Sequence, residues 1–179
     1  NGLGRLSRNR PDLMTADFAI LMEPTDAGIE GGCNGTIRVE VVVPGRAAHS
    51  ARSWRGVNAI HAAAEVLDRL NAYQPRQVEV DGLVYREGMS AVRITGGVAG
   101  NVVPDECVVS VNHRFAPSTT EQQAEAHCRE LFEGFEVRVV DLAGGARPGL
   151  HHPAAASFVR AVGTEPVAKV GWTDVSRFA

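Results

Sequence analysis

Among 179 residues, the ones most able to do chemistry are few and widely spaced. Met22-Glu23-Pro24-Thr25 sets a carboxylate directly behind an apolar run, and the proline holds Glu23 in extended backbone. A carboxylate at the carboxyl end of a buried strand is where open α/β sheets build their sites, although the same residue can simply meet water. A metal-ligand role for Glu23 needs partners, and no HxD, HExxH or CxxC pattern supplies them. In Gly45-Arg46-Ala47-Ala48-His49-Ser50, small neighbours leave room for a ligand beside His49, whose neutral ring can donate one hydrogen bond to a developing oxyanion. A loop histidine serving as a satisfied structural or surface group is the plainer alternative. Asn101 ends a glycine-rich link and Arg114 stands near a strand end. The first offers an amide donor and the second a bidentate fork for a carboxylate, while turn capping and a cross-strand ion pair are the plainer explanation of either residue alone. Thr173-Asp174 and Arg177 follow Gly171-Trp172 in a polar loop. His61, His113 and His127 fall inside expected regular elements and read as packing residues.

These positions need elements to hold them. Residues 16–22 form a short apolar run, the pattern of a strand buried on both faces of a parallel, helix-covered sheet. After Gly31-Gly32-Cys33-Asn34-Gly35 the period changes. Ile37, Val39, Val41 and Val43 alternate with Arg38 and Glu40, as in a half-exposed antiparallel strand. Val57, Ile60, Ala64, Leu67 and Leu70 follow helical spacing up to the stop at Pro75. Strands are expected over 90–96 and 106–115, the latter with Cys107, Val109 and Val111 on one face. A helix capped by residues 118–121 follows, then a strand through Phe135, Val137 and Val139. That order, β-α-β-β-α-β, is a ferredoxin-like split βαβ sandwich. A helix over 153–162 and a short strand over 167–170 return to the α/β style of the opening residues. The reading is α+β: a lid or dimerisation domain over 35–145, inserted in a partial α/β domain represented by 1–34 and 146–179.

Composition narrows the function. The chain is 44% hydrophobic and 22% charged with a net charge of −3, and no Lys/Arg run exceeds two residues. That leaves no electrostatic footprint for nucleic acid or an anionic membrane. Three widely spaced cysteines, Cys33, Cys107 and Cys128, fit neither a zinc finger nor a disulfide framework and point to a reducing, cytoplasmic setting. The first residue is not Met and the last residues carry no cap, so the chain reads as a portion of a longer protein.

Taken together and in order, Met22-Glu23-Pro24-Thr25, Gly45 to Ser50 with Gly56 to Ile60, Gly100-Asn101-Val102-Val103-Pro104, Asn112-His113-Arg114-Phe115 and Gly171-Trp172-Thr173-Asp174 with Arg177-Phe178 resemble the succinyl-diaminopimelate desuccinylase family. That family belongs to the co-catalytic zinc amidohydrolases, with aminoacylases, acetylornithine deacetylase and related carboxypeptidases. The resemblance implies amide hydrolysis of succinyl-diaminopimelate, a step in bacterial lysine and cell-wall synthesis. It implies two zinc ions in the complete enzyme, with none held tightly by this portion alone, and a homodimer formed through the lid domain. It makes Glu23 a zinc ligand and His49 a donor reaching the partner subunit's site. Asn101, Arg114, Thr173 and Arg177 become substrate-binding residues. The family's remaining metal ligands and its Glu-Glu pair have no counterpart here, so the isolated chain is expected to be inactive. Trp172 is often smaller in relatives, which keeps another N-acyl amino acid such as acetylornithine open as substrate. A non-catalytic dimerisation module is the alternative from another class.

Overall fold

The computed structural model describes residues 2–178. In chain order these form α1 (Gly2–Asn9), β1 (Glu30–Gly31), β2 (Gly35–Pro44), β3 (Ala48–His49), α2 (Ala59–Ala62), α3 (Ala64–Ala72), β4 (Gln77–Val80), β5 (Leu83–Arg86), β6 (Gly88–Gly96), β7 (Val102–Val103), β8 (Glu106–Phe115), α4 (Glu121–Leu131), β9 (Glu136–Ala143), α5 (Pro153–Val162) and β10 (Val167–Ala168). Short 3-10 turns lie at Pro11–Leu13, Ser50–Arg55 and Asp174–Arg177. No described helix is long and apolar enough to cross a membrane.

The alternation in β2 does what the sequence pattern implies. Ile37, Val39, Val41 and Val43 are buried, and their registered neighbours across β8 include Val109, Val111 and Cys107. Four antiparallel strands run in the order β6-β8-β2-β9, and α2, α3 and α4 close one face through Ala59, Ala63, Val66, Ala124, Cys128 and Phe132. Each buried valine removes enough apolar surface to contribute roughly 1.5–3 kcal/mol, so this one-sided core is the main source of stability. Connectivity and order together are those of the ferredoxin-like sandwich. The α4 start is a capping box: Thr120 accepts from Gln123 N, and the Gln123 side chain accepts from Thr120 N.

Gly35 sits opposite Phe115 in the β2–β8 register, and an added Cβ would lie 2.1 Å from the Phe115 ring. Only the missing side chain lets that ring fold over the strand. On the helical side, the buried stripe is Ala59, Ala63 and Val66, with Leu70 partly buried against the same cluster. Val57, Ile60 and Leu67, expected to face the core, are exposed, and so is His61. The small alanines let the helix approach the sheet closely, and the larger residues are turned outward.

Residues 16–22 are not a strand. They run irregularly with Met22 91% exposed, because among the described residues no neighbouring strand lies alongside to take their backbone hydrogen bonds. Glu23 therefore leaves a loop, not a strand end. The parallel pairing is instead short: β1 lies beside β10, Glu30 opposite Val167 and Gly31 opposite Ala168.

The chain passes between the sandwich and these flanking layers twice, side by side. Cys33 and Ala146 exchange both backbone hydrogen bonds (2.9 and 3.0 Å). The β4–β5 hairpin leans on this junction. Its buried Tyr85 donates its hydroxyl to Gly31 O at 2.7 Å, and Asp81 pairs with Arg147. Gly32 (φ +56°) has no room for a side chain, since a Cβ would meet Ala146 O at 2.2 Å.

Candidate functional site

Glu23 faces an open cleft of about 580 Å³ between residues 16–32 on one side and α5 with residues 169–178 on the other. Thr173, Glu30, Lys169, His151 and His152 line the same cleft. The Lys169 ammonium lies between two carboxylates, 3.2 Å from Glu23 Oε2 and in a close ion pair with Glu30 Oε2. That pairing holds the ammonium charged and raises the Lys169 pKa, the Glu30 bond contributing most. Lys169 is fixed by its backbone as well: its N donates to Gly31 O, and its carbonyl accepts from Asn34 N. Thr173 is buried, and its hydroxyl accepts from Val175 N at 3.3 Å, capping the turn over Asp174–Arg177.

One carboxylate at the wall of an open cleft fits a share of a metal site, since a complete site takes three or four protein ligands. Among the described residues no three His, Cys, Asp or Glu side chains converge to make a whole one.

His49 and Asn101 belong to a second group, held by the sandwich. β3 pairs with β7, His49 opposite Val102, and Ser50 N donates to Asn101 O at 2.9 Å. The loop is packed to the backbone at Gly45, where a Cβ would sit 2.4 Å from Val57 O. His49 is exposed, and its Nδ1 accepts the Ala51 N–H at 3.1 Å. An accepting Nδ1 places the proton of the neutral ring on Nε2, leaving an outward N–H donor. Neither His49 nor Asn101 lines the Glu23 cleft.

Arg114, registered opposite Thr36 and Gly88, is half-buried on the sheet face away from the helices. There Asn112 donates to Thr36 Oγ1 at 3.1 Å. Arg177 lies outside the cleft lining, stacked 5.2 Å from the Trp172 ring and 3.8 Å from Asp174. The structure thus gathers Glu23 with Thr173, and His49 with Asn101, and leaves Arg114 and Arg177 apart from both. Sequence reasoning passed over Lys169 and Glu30. A single lysine after a short strand carries no motif, and only the β1–β10 pairing brings it to Glu23.

Residues 32–138 match the M20-type peptidase dimerisation domain. A Mycobacterium tuberculosis protein provisionally named as a succinyl-diaminopimelate desuccinylase is 55% identical over 181 residues, covering 100% of this chain and 51% of that protein. A Corynebacterium glutamicum protein named succinyl-diaminopimelate desuccinylase is 45% identical, covering 100% of this chain and 50% of its own length. Among solved structures, an M20 family metallo-carboxypeptidase of Sulfolobus solfataricus superposes with a TM-score of 0.64 at 14% identity, over 99% of this chain and 56% of that one. The chain spans about half the length of the curated relatives it matches. The antiparallel sandwich, its paired crossings into an α/β layer and these likenesses agree: the chain belongs to the M20 peptidase family of hydrolases and is similar, over its whole length, to succinyl-diaminopimelate desuccinylases.

Proposed function

We propose that the protein to which this chain belongs hydrolyses the amide bond of N-succinyl-diaminopimelate, releasing succinate and diaminopimelate. The observation that carries this reading is likeness along the entire chain to a desuccinylase, with Glu23 and Thr173 lining one cleft. In this reading Glu23 is a zinc ligand and Thr173 belongs to the substrate-binding loop. Bound zinc would polarise the amide carbonyl and acidify water. His49 acts on a partner subunit: its Nδ1 is occupied by Ala51 N–H, so Nε2–H is the donor offered to an oxyanion. Asn101 is held beside His49 by the β3–β7 pairing, and Arg114 and Arg177 are the cations for substrate carboxylates. The three free, buried cysteines suit a reducing, cytoplasmic compartment. The lid spans 35–145 between catalytic segments 1–34 and 146–179, and dimerises through its edge.

Assay of the full-length protein on N-succinyl-diaminopimelate and on acetylornithine tests the substrate; preference for acetylornithine overturns the assignment. Subunit exchange tests the geometry. Full-length Glu23→Ala is expected to abolish activity by loss of a zinc ligand, and full-length His49→Ala to lose about 10²–10³-fold as a lost oxyanion donor. Mixed and allowed to exchange, they form heterodimers with one site holding both residues, so activity should recover to roughly a quarter of wild type. A mixture that stays at the level of His49→Ala, with exchange verified by mass, places His49 on its own subunit's site.

A further inference from the structure

We infer that Lys169 is a substrate-binding residue that takes the free carboxylate of the acyl chain, and so selects succinyl over uncharged acyl groups. The inference rests on the proposed amide hydrolysis at Glu23. Lys169 is placed for this by the fold, not by flexibility: its side chain is 18% exposed, its backbone is tied to β1 and to Asn34, and its ammonium is anchored on Glu30. An ammonium has three donors, and two are directed to Glu30 and Glu23. The third remains for the cleft that Lys169 lines.

Charge decides when that donor can be used. Lys169, Glu23 and Glu30 together carry one net negative charge, which repels a carboxylate. Were Glu23 to hold a divalent cation, the same trio would be net positive and Lys169 would keep its ion pair with Glu30. Carboxylate binding and metal binding are then coupled reciprocally. Reach also fits. In a succinyl amide the free carboxyl carbon lies two methylenes from the scissile carbonyl carbon, on the order of 4 Å away. The ammonium stands 3.2 Å from Glu23 Oε2, a separation of the same order as that short arm. Arg147, the other Lys or Arg lining the cleft, is paired with Asp81.

The test uses the full-length, zinc-loaded protein and its Lys169→Met and Lys169→Arg variants. A lost charge-assisted hydrogen bond predicts a KM for the N-succinyl substrate about 10- to 100-fold higher in Lys169→Met, with kcat changed far less. KM for an N-acetyl analogue should not move, and Lys169→Arg should recover most of the loss. Calorimetry with succinate alone should show the same weakening without any turnover, with zinc content and thermal midpoint equal to wild type. Equal losses on both acyl groups, unchanged succinate affinity, or loss of zinc from Lys169→Met would overturn the inference and leave Lys169 as a clamp on Glu23. If wild type binds succinate through Lys169 yet does not cleave the amide, the proposed function fails and the carboxylate site stands.

Discussion

His113 is fully buried under the helices, its ring 5.4 Å from that of His127 and 6.4 Å from that of Tyr73, with Nδ1 donating to Gly88 O at 3.2 Å. Burial pushes its pKa below the usual imidazole value, only partly offset by the Gly88 bond and the nearby Glu87 carboxylate; His127 and Arg76 push it further down. A group whose folded pKa is depressed binds fewer protons folded than unfolded once pH falls below the unfolded value of about 6.5, so stability is lost as pH drops through and below that point. His113→Asn keeps a donor for Gly88 and cannot titrate. Denaturant titrations between pH 7.5 and 5.5 should therefore show a shallower loss of stability than wild type; an unchanged slope would assign the titration elsewhere. At this scale the sequence was legible where a residue's role is local. His49 sits in its loop as its small neighbours suggest, and His113 packs. Lys169 was not legible, because its partners Glu23 and Glu30 lie 146 and 139 positions away and meet it only after folding.

Among the elements, β2 and β8 carry the core and leave no slack where Gly35 meets Phe115. A Gly35→Ala methyl would approach three ring atoms at 2.1 to 2.8 Å, so the ring must leave its place and the cost should be about 1–3 kcal/mol or more. Combining it with Phe115→Leu should restore part of that loss, a positive coupling readable in a double-mutant cycle; simple additivity would mean the two do not clash. Period-two patterning was enough to find these strands. The helix over 59–72 was found with the wrong face, since alanines mark close approach and hydrophobicity alone favours the larger residues. The β4–β5 hairpin went unread although its signal was present. Asp81-Gly82, both at positive φ, is the two-residue turn that suits a hairpin.

For the whole molecule, the sandwich ends on one side at β6, an edge strand whose outer backbone has no neighbour among the described residues. Val92 (60% exposed) and Ile94 (51%) leave it apolar, with Val98 (83%) just past its end and Ile60 beside it. An apolar open edge invites another chain, in keeping with a dimerisation domain. In the full-length protein Ile94→Glu should shift the mass seen by sedimentation from dimer toward monomer. Activity should fall with it if His49 serves the partner's site; a stable dimer would move the interface off this edge. The paired passage at Cys33 and Ala146 has a bearing on ancestry. Because the sandwich departs from and rejoins the flanking layer at adjacent, mutually bonded residues, its host sees the whole of it as one elongated hairpin loop. Acquiring, exchanging or discarding such a module asks no rethreading of the host, only the splicing of two ends that already lie side by side.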